Sequence, residues 1–448
     1  MMFGSKVRRA ACIALAATAI SAVNSFAVTS QFRGVNWADK RDNFVSDVLV
    51  LSGLNLSDNY QSASVAAERV IGQFQELLGT NSVRMPVNEP TILNAFDMYS
   101  GALDVALKHG RLVMGYWGPA QPSGPKNMDD WWKMWAKLVE KYGEHPNAYF
   151  EIMNEPHMYN KSQLRDLYAQ WLSKFPKVPR DHIILDGSGM AQNVPDIADD
   201  SRFEGCLFAV HEYTFWNMSI NTEQGWRNSF KGKVGKYIDR TVCTEWGGAM
   251  APGDKAGVHY ETMDYNSTPT NYFMAYIRGM SDQLREWEMG SFYWPGLRDG
   301  DWYSMTKRSG EGANIKLEVV NQSGLDRMQH SWADTVAIVP VDTLPADTAA
   351  PADTSTTPAD SNVTVPDTTV KDSSAAPVDT SMAIGARAVP DVRSNVLKTP
   401  QYLRVKGNKT DRQAASTSRR HELPTRQEHR QPLKTLFSFS LLLNSTTR

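Results

Sequence analysis

The sequence predicts an α/β fold of the closed (β/α)8 TIM-barrel class, followed by a disordered acidic linker and a basic, disordered tail. Three observations carry that expectation. Strand-like and helix-like segments alternate about eight times over 31–328, which suits a closed barrel better than an open sheet. Polar, chemistry-bearing residues stand where the expected strands end, the face on which parallel barrels build their sites. After Trp332 the composition turns abruptly to Pro, Ala, Asp, Thr and Ser, as in Leu344-Pro345-Ala346-Asp347-Thr348, which closes the folded domain.

The first strand is expected at 32–37, and the first helix at 64–78, where Val65, Val70, Ile71, Phe74 and Leu77 are the apolar positions. Segments 82–87, 99–109 and 111–117 repeat strand, helix, strand. The helix at 129–142 opens on acidic residues, favourable against the positive end of its dipole, and carries Trp131, Trp132 and Trp135. The fourth strand, 148–153, is an apolar and aromatic run that Asn154-Glu155-Pro156 interrupts, because a strand cannot continue through that proline. A helix at 162–175, a strand at 182–186 and a short helix near 194–198 follow. The sixth strand is expected at 207–211, a helix at 223–237 and the seventh strand at 241–244. A long helix at 271–288, the eighth strand at 291–294 and a last helix at 313–328 complete the alternation.

Residues 1–27 read as a signal peptide. Lys6, Arg8 and Arg9 precede the apolar run from Ala10 to Ala17, continued by Ala19 and Ile20, and small residues lead to Ser25-Phe26-Ala27. That run is too short for an ordinary membrane-spanning helix, so the expectation is a secreted, periplasmic or cell-surface protein with no transmembrane anchor after processing. The folded domain is expected over 31–332, the linker over 333–380 and the tail over 381–448. The linker has too little apolar surface to repay its ordering entropy. The tail carries Arg387, Arg393, Lys398, Arg404, Lys406, Lys409, Arg419 and Arg420, which suits contact with an anionic cell surface or a solvated end.

A net charge of −2 points to no nucleic-acid partner. The 13 Trp and 16 Tyr fit either a large core or a carbohydrate-stacking surface. Without the leader the cysteines are Cys206 and Cys243, both in apolar runs, and they form either one disulfide or two buried thiols. Neither spacing is that of a metal site, and there is no Gly-rich phosphate loop, so neither metal nor cofactor is expected.

Glu155 ends the fourth expected strand and Glu245 ends the seventh, in Thr244-Glu245-Trp246-Gly247. Two carboxyl groups on separate strand ends of one barrel are what glycoside hydrolysis requires. Taken singly, either glutamate could be a helix-cap partner or a surface charge, Arg84 a structural arginine and His211 a satisfied core histidine. Asn154-Glu155-Pro156, His211-Glu212-Tyr213, Thr244-Glu245-Trp246-Gly247, Val83-Arg84-Met85-Pro86 and Phe292-Tyr293-Trp294 together resemble glycoside hydrolase family 5. That family of retaining β-glycanases contains many bacterial cellulases, and the resemblance covers roughly 31–328.

The resemblance implies that Glu155 is the general acid and base and Glu245 the nucleophile that forms a glycosyl-enzyme. It places Arg84 and Tyr213 beside Glu245, His211 beside Glu155, Asn154 on the sugar 2-hydroxyl and Trp294 under the sugar being cleaved. Trp37, Trp117, Trp216, Trp246 and Trp302 lie at or beyond strand ends and are either packing residues or further sugar platforms. The sequence departs from the family at Trp117, which stands about where the third strand usually ends in a histidine. The expected protein is a monomeric, metal-independent endo-β-1,4-glucanase acting on cellulose or a related β-glucan. The alternatives are the same mechanism on mannan, xyloglucan or a β-1,3- or β-1,6-linked polymer, and a barrel that binds polysaccharide without cleaving it.

Overall fold

The computed structural model describes residues 29–118, 124–215 and 217–332. The expected signal peptide, linker and tail, and Trp216, lie outside the described residues. Eight parallel strands form the barrel: β1 (Arg33–Trp37), β2 (Ser82–Val87), β3 (Arg111–Tyr116), β4 (Ala148–Glu151), β5 (Ile183–Asp186), β6 (Leu207–Glu212), β7 (Thr241–Trp246) and β8 (Ser291–Leu297). Each pairs with its neighbour in chain order, and β1 closes the ring by pairing with β8, Gly34 opposite Phe292. Closure leaves no sheet edge along the ring.

Along the regular stretches of the strands side chains alternate between lumen and helix layer. On β3, Leu112, Met114 and Tyr116 join the large core under the helices, and Val113 joins the smaller cluster of Phe32, Tyr149, Ile184, Leu207, Ala209, Val242 and Phe292. Advancing two residues from members of the smaller cluster reaches Glu151, Asp186, His211 and Thr244, all buried. One level higher stands the aromatic cluster of Trp117, Tyr213 and Trp294. An apolar floor therefore carries a polar layer, and that layer carries an aromatic mouth.

The helices form where expected, with shifted ends. The first runs Tyr60–Gln73 and starts early because Asn59 and Ser62 form a reciprocal capping box. A short helix at Glu89–Asn94, capped by Asn88, adds to the expected set. The largest difference concerns 313–328, where a helix was expected. Thr306–Ser309 and Lys316–Val319 instead form an antiparallel hairpin beside β8, and the helix runs Gln322–Ser331. Lys316 and Glu318 are exposed while Leu317 is buried, a two-residue period that outweighs the helical reading. A second hairpin, Gly253–Lys255 with Val258–Tyr260, follows β7. Cys206 and Cys243 are both buried and free, so the disulfide alternative falls. Among the described residues no helix is long and apolar enough to cross a membrane.

Candidate active site

β7 contains a bulge. Between Val210↔Cys243 and His211↔Glu245 the β6 partner advances one residue and β7 advances two, and the β8 pairing shows the same offset. A bulge inserts one residue and re-aims those beyond it. Thr244 consequently keeps its lumen position, Glu245 enters the lumen beside it, and Trp246 turns outward to pack edge-on against Tyr293, ring centroids 5.5 Å apart.

Arg84, fully buried, organises the polar layer. Its Nη1 donates to Glu245 Oε1 at 2.6 Å and to Asn36 Oδ1 at 2.9 Å. Its Nη2 donates to Asn154 Oδ1 at 2.7 Å and to Glu151 Oε1 at 3.0 Å, while Nε donates to Glu151 Oε2. Burial opposes the guanidinium charge, but Glu151 and Glu245 outweigh it and raise Arg84 further. Burial likewise pushes Glu151 up, and the two-pronged contact with Arg84 overrides it and holds this carboxyl below its usual range. Gly115 leaves room for this pair, since a Cβ there would lie 3.0 Å from Glu151 Oε2 and 3.3 Å from Arg84 Nη2.

Arg84→Met is expected to lower unfolding free energy by about 3–5 kcal/mol, because removing one partner strands a buried charge. Urea titration checks this. A loss under about 1 kcal/mol would mean that Glu151 takes up a proton at little cost.

Glu245, about one-twentieth exposed, also accepts from the Tyr213 hydroxyl at 2.8 Å. Burial raises its pKa, and His211 and Arg84 pull it back. Glu155 projects from the loop after β4 with φ +50°, a left-handed conformation uncommon for a residue with a side chain. Asp186 on β5 holds that turn, its Oδ2 accepting the Glu155 backbone N–H at 2.9 Å. Burial and the neighbouring Glu151 raise Asp186 well above its usual range. Glu155 Oε1 lies 3.0 Å from His211 Nδ1. Burial pushes Glu155 up to about 7, against Arg84 and His157. Burial drives His211 down to about 4, so its ring is neutral near pH 7.

One oxygen of Glu155 and one of Glu245 lie within 4.8 Å of each other and of a His211 nitrogen. They face a cleft of about 240 Å³ walled by Phe44, Trp117, Phe215, Trp294, Trp302 and Tyr303, with Lys255 and Arg298 among its polar groups. A cleft with one carboxyl group raised to about 7 and another held by a cation and a hydroxyl can protonate one atom while attacking its neighbour. Two sets of three ligand atoms, Glu151/Asp186/His211 and Glu155/His211/Glu245, are close enough for a metal ion. In the first set Arg84 and Thr244 already bond Glu151, and in the second Arg84 and Tyr213 already bond Glu245.

Residues 77–292 match the family model described as Cellulase (glycosyl hydrolase family 5). That stretch matches as a family 5 glycosyl hydrolase domain. The chain is 23% identical over 280 residues to Endoglucanase Z of Dickeya dadantii (strain 3937), covering 60% of this chain and 58% of that protein. The chain thus spans less than two thirds of that relative's length. The solved structure of Cel5A (EG2) from Hypocrea jecorina (Trichoderma reesei) superposes with TM-score 0.47 at 16% identity, over 67% of this chain and 98% of that one. A β-mannanase from Streptomyces thermolilacinus, solved with mannohexaose, gives TM-score 0.37 at 16% identity, over 61% and 81%.

Of the residues singled out in this sequence, Glu155, Glu245, Arg84, Asn154, His211 and Tyr213 converge on one network. The Asn154 side-chain amide nitrogen is buried and makes no hydrogen bond within the described residues, which leaves a donor beside the two glutamates. Trp294 lines the cleft and stacks on Trp117, ring centroids 5.9 Å apart and 23° between planes. Trp117 lies 4.2 Å from the Arg84 guanidinium and walls the cleft without exposing its face.

Trp37 and Trp246 correct the expectation: both are fully buried in the helix-side core, and Trp37 donates to the Ser52 carbonyl at 2.9 Å. They pack, and sugar cannot reach them. Glu151, Thr244, Asp186 and Asn36 join the network without having been expected there from the sequence. Glu151 was legible as a charge inside an apolar strand, and Asp186 as a carboxylate ending the fifth strand. Phe215 sits on a connecting segment and Lys255 ends a three-residue hairpin strand, too short to show a period, so neither gave such a signal.

Proposed function

We propose that this hydrolase is an exported, retaining endo-β-1,4-glucanase that cleaves cellulose or a related β-glucan with Glu155 as general acid and base and Glu245 as nucleophile. The observation that carries this reading is the approach of the two carboxyl groups to within 4.8 Å in unlike surroundings. Retaining enzymes hold their carboxyl groups about 5–5.5 Å apart, whereas inverting enzymes need about 6.5–9.5 Å to admit a water. Arg84 and Tyr213 favour the anion on Glu245, and burial favours the proton on Glu155. The orphan Asn154 amide is a donor suited to a sugar hydroxyl, and Trp294 supplies an apolar wall beside it.

In the first step Glu245 attacks the anomeric carbon as Glu155 passes its proton to the departing glycosidic oxygen. In the second, Glu155 takes a proton from water as that water displaces Glu245. The readout that decides the reaction is reducing-sugar release from carboxymethyl cellulose, mixed-linkage glucan, mannan and xyloglucan, with the product anomer followed by NMR. Release from the two β-glucans with a β-anomer formed first is expected. Release from mannan alone would transfer the same mechanism to another backbone, an outcome in keeping with Trp117 standing where the resemblance implies a histidine. An α-anomer would end the retaining reading. The leader-like residues 1–27 support export, and the activity is expected in the medium of a producing culture; retention inside the cells would remove that part.

A further inference from the structure

Thr244 precedes Glu245 and is fully buried below the cleft lining, yet its hydroxyl decides the order of hydrogen bonds around His211. Thr244 Oγ1 lies 3.0 Å from Glu151 Oε1 and 2.9 Å from His211 Nε2. Glu151 takes Arg84 on both of its oxygens and is anionic, so it can only accept. The Thr244 hydrogen therefore points at Glu151, and Thr244 Oγ1 must accept from His211. That puts the ring proton on Nε2 and leaves a lone pair on Nδ1 of the neutral ring. The lone pair faces Glu155 Oε1 at 3.0 Å, and only a protonated carboxyl group can complete that contact.

We propose that Thr244 is a positioning residue that locks His211 in the Nε2–H tautomer and thereby holds Glu155 in its acid form between turnovers. The inference rests on the reading of Glu155 as the acid and base. When Glu155 gives its proton to the glycosidic oxygen, its new carboxylate faces a lone pair with no hydrogen between them. That arrangement disfavours the anion and strengthens it as the base that takes a proton from the incoming water, restoring the starting contact. The surrounding charges do not by themselves settle the matter. Arg84 and His157 favour the Glu155 anion, whereas Glu151 opposes it, as do Glu245 and Asp42 across the cleft. His211 is pulled toward its cation by Glu245 and Glu151 and away from it by Arg84 and Lys233.

Thr244→Val removes the acceptor for Nε2–H, so the ring can place its proton on Nδ1 and donate to the Glu155 carboxylate. A hydrogen bond to the charged form stabilises that form, so the alkaline limb of kcat/KM on an unactivated oligosaccharide is expected to move down by about one pH unit. KM should hold, and Thr244→Ser, which keeps the hydroxyl, should restore the limb. A Thr244→Val limb that matches the parent's overturns the proposal.

Should the valine variant fail to fold, 15N NMR of the histidine-labelled parent decides, with the His211 signals identified by their loss in His211→Asn. A protonated Nε2 and a bare Nδ1 are expected, and a protonated Nδ1 overturns the lock. Glu155→Gln separates the two levels. Full activity in Glu155→Gln would remove the acid and base reading itself, whereas a crippled Glu155→Gln beside an unshifted Thr244→Val removes only the tautomer lock.

Discussion

Glu245→Gln is expected to lower kcat on β-glucan by roughly four to six orders of magnitude while leaving substrate binding within about threefold. The amide keeps the shape of the carboxylate and still meets the Tyr213 hydroxyl, but it carries no charge with which to attack the anomeric carbon. Its loss is felt in the bond-forming transition state and scarcely in the ground state, which separates kcat from KM. The measurement is single-turnover hydrolysis together with binding of an uncleaved oligosaccharide. A parallel check is a fluorosugar that traps the glycosyl-enzyme: mass spectrometry should find the label on Glu245 in the parent and none in the variant. Label on another residue, or a kcat within about tenfold of the parent, would refute the nucleophile assignment.

Glu155→Gln is expected to lower kcat on unactivated β-glucan by about 10² to 10⁴, the usual worth of a positioned proton donor. On an aryl glycoside whose leaving group departs without protonation, the first step should stay near the parent rate. Because Glu155 titrates near 7, parent activity should fall above about pH 7 as the acid is lost. On the acid side it should fall where Glu245 takes up a proton, at a pH above the ordinary carboxylate range because burial raises that group.

The same shift has a consequence for stability, and its sign follows from linkage. Glu155 is raised on folding, so the native state binds its proton more tightly than the unfolded chain does, and the stabilisation is complete below about 4.5. It is lost as pH rises through about 7. Glu155→Gln should therefore raise the melting temperature at pH 8 relative to the parent by more than it does at pH 4, as calorimetry at the two values would show. Equal differences would mean that Glu155 does not titrate near neutrality.

Both variants probe residues that the chain announces. Glu155 follows an apolar run that stops at Asn154-Glu155-Pro156, and Glu245 ends a second such run. Arg84, His211 and Tyr213 were legible through the family resemblance of their motifs; Arg84 lies inside β2, and His211 and Tyr213 stand at the close of β6. The tryptophans were not separable by position. Trp117 and Trp294 reach the cleft while Trp37 and Trp246 do not, although all four occupy comparable places near strand ends. The hairpin spanning 306–319 was misread because the helical span expected there took in its second strand, whose short alternation was outvoted.

From the sequence alone came the order and number of the barrel strands and the residue types near their ends, and the family resemblance of those motifs implied the grouping of two glutamates with an arginine, a histidine and a tyrosine. Alternation along a strand is a local property, carried by burial two residues apart, and it needs no partner to be read. Which side of the wall each residue occupies, and at what height, was decided only in the closed ring. The insertion at Thr244 shifts β7 by one residue against both neighbours, sends Glu245 inward and Trp246 outward, and sets a hydroxyl between Glu151 and His211. A bulge flips every later side chain, and its position depends on pairing with β6 and β8, strands far away along the chain.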